Sequence, residues 1–125
     1  MYDQKKILII DDEEDIQKLL KIRLEQENFI VTTASNGEIG LKIAKLEIPD
    51  LILMDIMMPK MDGYTCLKEV RKIKDIKDTP ILMLSGKEEE KVRDLFAFDK
   101  INGYVEKPFE LDVLVAKIKE ILKIQ

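Results

Sequence analysis

Few folds accommodate the run Leu51-Ile52-Leu53-Met54, four apolar residues without helical alternation, closed by Asp55 and then by a turn holding Pro59 and Gly63. Such a run predicts a strand buried on both faces, as in the middle of a parallel sheet. In open α/β sheets, ligands gather just beyond the carboxyl ends of the strands. A carboxylate in that place is costly to bury without a partner, a metal or a proton. By itself Asp55 reads equally well as a helix cap or a turn residue. The decision lies elsewhere in the chain.

Residues 6–10 read as a second buried strand, and it too ends in acid: Asp11-Asp12-Glu13-Glu14-Asp15. Helical periodicity follows, with Ile16, Leu19, Leu20 and Leu24 on one face as far as Gln26. Residues 30–34 form another strand candidate, favoured by Thr32 and Thr33. Ser35-Asn36-Gly37-Glu38 is a capping-box pattern that opens a helix through Leu46, and Pro49 closes that unit. After the central strand comes a helix over about 64–73 with Leu67 and Val70 inward, then a polar loop over 74–79. A strand over 80–85 leads into a helix with the acidic start Glu88-Glu89-Glu90, ending near Phe98. A short strand over 103–106 stops at Lys107-Pro108. Leu111, Leu114, Val115, Ile118, Ile121 and Leu122 then stripe a last, docking helix. Five strands alternating with five helices predict an α/β fold with a doubly wound five-stranded parallel sheet. No linker, repeat or low-complexity segment interrupts it, so residues 1–125 are expected to be a single domain.

Composition narrows the chemistry. A chain of 125 residues buries a core without disulfides or a structural metal. The net charge is −4 with no basic stripe, which argues against nucleic-acid binding by this chain alone. Apolar runs of four residues, such as 7–10 and 81–84, are too short to span a bilayer, and no signal-peptide pattern stands at the start. The one cysteine, Cys66, has no internal disulfide partner and reads as a plain helix-face residue. These features together predict a cytoplasmic protein with no membrane contact. The absence of histidine removes Ser-His and Cys-His nucleophile pairs and histidine metal sites.

In a sheet of this kind, Asp11, Asp12, Asp55, Ser85 and Lys107 all meet at one edge. Each has a bland reading: helix-start acids for Asp11 and Asp12, a capping hydroxyl for Ser85, a solvated charge for Lys107. Their convergence outweighs those readings. Three carboxylates repel one another and invite a hard cation, Mg²⁺ or Mn²⁺. Lys107 and Ser85 are suited to hold phosphoryl oxygens, and Asp55 is then the candidate nucleophile, yielding an aspartyl phosphate. Met57, Met58 and Met61 need no metal role, since adaptable packing around a turn explains them.

Four stretches are familiar at these separations: Ile9-Ile10-Asp11-Asp12-Glu13, residues 53–63, Met83-Leu84-Ser85-Gly86, and Gly103-Tyr104-Val105-Glu106-Lys107-Pro108-Phe109. On these the chain resembles the receiver domain of two-component response regulators, over essentially its whole length. The resemblance implies a flavodoxin-like strand order 2-1-3-4-5 and a phosphoryl group received by Asp55 from a sensor histidine kinase or a phosphotransfer protein. It implies Mg²⁺ held by Asp12, Asp55, the backbone carbonyl of Met57 and, through water, Asp11. Ser85 would move to the phosphoryl group, Tyr104 would rotate inward, and the Lys107–Pro108 peptide would be cis. The output face would be the helix near 89–98, the fifth strand and the last helix, acting on a downstream protein target, with a phosphorylation-dependent dimer left open. On this reading the domain is no enzyme beyond its own phosphorylation and dephosphorylation, and it is either a stand-alone receiver or one cut from a longer protein.

The chain departs from the family pattern at three places. Lys100-Ile101 replace the usual small residues before the fifth strand, Ser85 stands where Thr is commoner, and Met57 stands where a polar side chain often orients attacking water. Slow self-dephosphorylation is therefore expected. The competing readings are a non-phosphorylated pseudo-receiver, an aspartate-nucleophile phosphatase (which would want a second Asp at position 57) and a flavin carrier.

Overall fold

A strand apolar on both sides needs a layer against each face, and the chain supplies both. The computed structural model describes residues 4–86, 90–97 and 100–125. Its five parallel strands are β1 (Lys6–Ile10), β2 (Ile30–Ala34), β3 (Leu51–Asp55), β4 (Ile81–Ser85) and β5 (Gly103–Glu106), in the order β2-β1-β3-β4-β5. Between and after them run α1 (Glu14–Gln26), α2 (Gly37–Glu47), α3 (Gly63–Lys72), α4 (Glu90–Ala97) and α5 (Leu111–Leu122). The doubly wound sheet and the 2-1-3-4-5 order are thus those expected.

Side-chain alternation along each strand divides the core in two. Leu8, Ile10, Ile52, Met54 and Met83 face one layer, where Ala44 of α2, Cys66, Leu67 and Val70 of α3 and Val92 of α4 cover them. Ile7, Ile9, Leu51, Leu53, Leu82 and Leu84 face the other, under Leu20 and Leu24 of α1 and Leu114, Val115 and Ile118 of α5. Each fully buried aliphatic side chain contributes about 1.5–3 kcal/mol. The register sets Ile10 beside Ala34 and Met54, Asp55 beside Leu84, and Ser85 beside Glu106. Adjacent strands therefore end at nearly one level, and the residues that follow them share an edge.

Several local expectations need correction. Leu19 is 51% exposed, because the buried line of α1 runs through Ile16, Leu20 and Leu24 at a spacing of four and leaves Leu19 to one side. The N-cap of α2 is Asn36, not Ser35: its Oδ1 accepts from the Ile39 N–H at 2.9 Å. The loop over 74–79 is not wholly polar in its packing, since Ile76 is buried in the α2–α4 layer. Cys66 does lie on a face of α3, the inward one: it is fully buried, with Sγ 3.7 Å from the Gly37 carbonyl, and burial pushes its thiol up to about 11. Of the acidic start expected at 88–90 only Glu90 is described, as the first residue of α4, and Phe98 lies outside the described residues. Among the described residues no helix is long and apolar enough to cross a membrane.

Candidate functional site

β3 ends on Asp55, which the sheet leaves only 4% exposed. One strand over, Asp11 follows β1 and is fully buried. Its N–H continues the ladder to the Ala34 carbonyl at 3.1 Å, its Oδ1 accepts from the Glu13 N–H at 2.8 Å, and its carbonyl accepts from Gln17 Nε2. Its Oδ2 is buried with no hydrogen-bond partner. Asp12 is exposed beside it, and one carboxylate oxygen from each of Asp11, Asp12 and Asp55 lies within 4.8 Å of the other two.

Lys107 enters from the end of β5, where its N–H donates to the Ser85 carbonyl at 2.7 Å. Its Nζ lies 3.3 Å from Asp55 Oδ1, 3.4 Å from Glu13 Oε1 and 3.5 Å from Asp11 Oδ2. The Lys107–Pro108 peptide is cis. One ammonium thus faces a crowd of carboxylates. Burial, reinforced by the charge of Asp11, pushes the Asp55 carboxyl up to about 6, and Lys107 reverses only part of that rise. Burial likewise raises Asp11, against the Glu13 N–H and Lys107. Burial works against the charge on Lys107, but Asp11 and Asp55 outweigh it and hold the ammonium above its ordinary range. The site carries surplus negative charge in a poorly solvated place.

A divalent cation fits these residues. The donors are all oxygen, one of them buried without a hydrogen bond, at a mutual spacing that a hard ion can bridge. The turn after β3 is built closely around Asp55. Gly63 donates its N–H to the Ile56 carbonyl at 2.8 Å, and a Cβ at position 63 would stand 2.6 Å from the Asp55 carbonyl oxygen. Gly63 is there for close approach, and Asp62 caps α3 by accepting from the Thr65 N–H at 2.8 Å.

The fold brings Asp11, Asp12, Asp55 and Lys107 together. Ser85 is 1% exposed at the end of the neighbouring β4. Met57 lies in the turn after β3 with its side chain turned to solvent. Tyr104 is half-buried against the α2–α4 layer, edge-on to Phe96 of α4 with ring centroids 5.7 Å apart. Sequence reasoning passed over Glu13 and Gln17. Glu13 had a visible signal, a third consecutive acid, which reads as the acidic start of a helix until Lys107 is seen beside it.

Known proteins are similar at both levels. A family model described as the response regulator receiver domain matches residues 7–119. The alkaline phosphatase synthesis transcriptional regulatory protein PhoP of Bacillus subtilis (strain 168) is 44% identical over 126 residues, covering 95% of this chain and 49% of that protein. The chain spans about half the length of the curated relatives it matches. Among solved structures, the Vibrio cholerae chemotaxis protein CheY4 superposes with a TM-score of 0.85 at 31% identity, covering 95% of this chain and 99% of that one. The Francisella response regulator 1452 receiver domain gives 0.87 at 28% identity, covering 96% and 98%.

Proposed function

The chain belongs to the family of response regulator receiver domains of two-component signalling, and from that premise we propose that Asp55 is its phosphoacceptor. A carboxylate oxygen of Asp55 attacks the phosphorus of a phosphohistidine on a sensor kinase or phosphotransfer protein. The new O–P bond forms as the N–P bond breaks, and the leaving imidazole keeps the electron pair. Lys107 shifts its ammonium onto the arriving phosphoryl oxygens, and the Ser85 hydroxyl donates to another. Asp11, Asp12 and Asp55, with the Met57 backbone carbonyl, would hold Mg²⁺ (or Mn²⁺), which neutralises charge on the transferring group.

The observation that carries this reading is the unpaired excess of carboxylate around one ammonium, with Asp55 at its centre 3.3 Å from Lys107 Nζ. Phosphorylation adds roughly −1.5 to −2 charges at pH 7. Such a change draws Lys107 and Ser85 together and biases the β4, β5 and α4 region, where Tyr104 and Phe96 meet. That region, with α5, is the proposed output face for a downstream protein target and for any dimer formed on phosphorylation. We place the domain in the cytoplasm, acting without nucleic-acid contact of its own and with no turnover beyond its own phosphoryl group.

Incubation with acetyl phosphate and Mg²⁺, followed by intact mass, tests the chemistry. The wild type gains one phosphoryl group, and Asp55→Ala gains none. A wild type that stays unmodified sinks the proposal. The same sample reports lifetime: the side chain at position 57 is a thioether turned to solvent, so the phosphoryl half-life in excess Mg²⁺ is longer for the wild type than for Met57→Asn. Equal half-lives would remove that role.

A further inference from the structure

Glu13 occupies the N-cap position of α1, with φ −87° and ψ 110°, yet its side chain makes no capping hydrogen bond. Asp, Asn, Ser and Thr are the side chains short enough to cap the first helical N–H groups, so the longer Glu13 carboxylate is left to reach elsewhere. Here the Glu13 backbone is pinned by its N–H bond to Asp11 Oδ1, and its carboxylate reaches across to Lys107, 3.4 Å away and 94 residues distant in sequence. Lys107 Nζ stands at 3.3 to 3.5 Å from three carboxylates and closes on none of them. Charge-assisted N–H···O contacts settle near 2.7–2.9 Å when one partner wins. The ammonium is shared. Glu13 is its solvent-side partner, with a side chain 58% exposed against 6% for Asp55 and 0% for Asp11.

We infer that Glu13 is a positioning residue that holds Lys107 away from full engagement with Asp55 until a phosphoryl group arrives. The inference rests on the phosphoacceptor reading above and deepens it. In the resting domain Glu13 draws part of the ammonium's charge outward. When the phosphoryl oxygens arrive, Lys107 gives up Glu13 for them, and that exchange opposes phosphorylation by the strength of the contact given up. A partly exposed ion pair of this kind changes an equilibrium by about two- to fivefold. Glu13 itself touches no phosphoryl oxygen in this account; it acts through Lys107.

The test pairs Glu13→Gln with a Lys107→Ala background, using the whole chain. Initial rates of acetyl phosphate uptake are read by intact mass, and beryllofluoride, a phosphoryl mimic that involves no transfer, is titrated by amide resonances with Mg²⁺ present. Glu13→Gln should raise the uptake rate and the beryllofluoride affinity about two- to fivefold, and Glu13→Asp, whose shorter arm keeps the charge, should fall between. In Lys107→Ala protein the Glu13→Gln change should leave the beryllofluoride affinity unaltered. An equal gain with and without Lys107 means simple charge repulsion of the incoming anion and overturns the inference. No gain in either background makes Glu13 a solvated surface charge and overturns it too. If the wild type takes up no phosphoryl group, the phosphoacceptor reading itself has failed, and this inference falls with it.

Discussion

At the scale of single residues, Asp55 is held at some cost to the fold. Its carboxyl is raised from 3.8 to about 6 by burial and by Asp11, so the folded chain binds this proton more tightly than the unfolded chain. The stabilisation linked to that proton is complete below 3.8 and is lost as pH rises to about 6. One pKa unit corresponds to about 1.4 kcal/mol. Metal-free Asp55→Asn should therefore be more stable than the wild type by roughly 2–3 kcal/mol at pH 7.5, with the gap closing towards pH 4. Urea unfolding in EDTA at the two pH values checks it. A variant no more stable at pH 7.5 would show that Lys107 fully compensates the buried charge.

Among the elements, α1 shows how far periodicity reaches. Ile16, Leu19, Leu20 and Leu24 all satisfy helical spacing, but a helix docked on a sheet buries one line completely and leaves its flank open. Leu20 and Leu24 are buried and Leu19 is half exposed. Leu20→Ala should cost about 2–5 kcal/mol, and Leu19→Ala within about 1 kcal/mol, both read from denaturant midpoints. Comparable losses would mean that Leu19 packs in solution more closely than its half-exposed place on α1 indicates. The α2 cap is a similar case. Ser35 and Asn36 are both good N-caps, and the sequence cannot separate them until the exit of β2 sets which side chain reaches the Ile39 N–H.

For the whole molecule, the sheet turns residues scattered along the chain into one acidic basin. If Asp11, Asp12 and Asp55 hold Mg²⁺, the ion binds the folded state alone and raises stability by about 1.4 kcal/mol at ten times its dissociation constant. Melting curves with and without Mg²⁺ should separate for the wild type and coincide for Asp12→Ala; a wild type indifferent to Mg²⁺ would count against a metal in the basin. The five strands, the five helices, the acids that close β1 and β3 and the stripe of α5 were all legible from the residues. Apolar runs, helical spacing and terminal acids are properties of neighbours in the chain, and they survive any arrangement of the elements. Contacts between residues far apart have no such local trace. The Glu13 hold on Lys107, the exposure of Leu19, the depth of Cys66 and the edge contact of Tyr104 with Phe96 exist only because strands 2-1-3-4-5 lie side by side in that order and register.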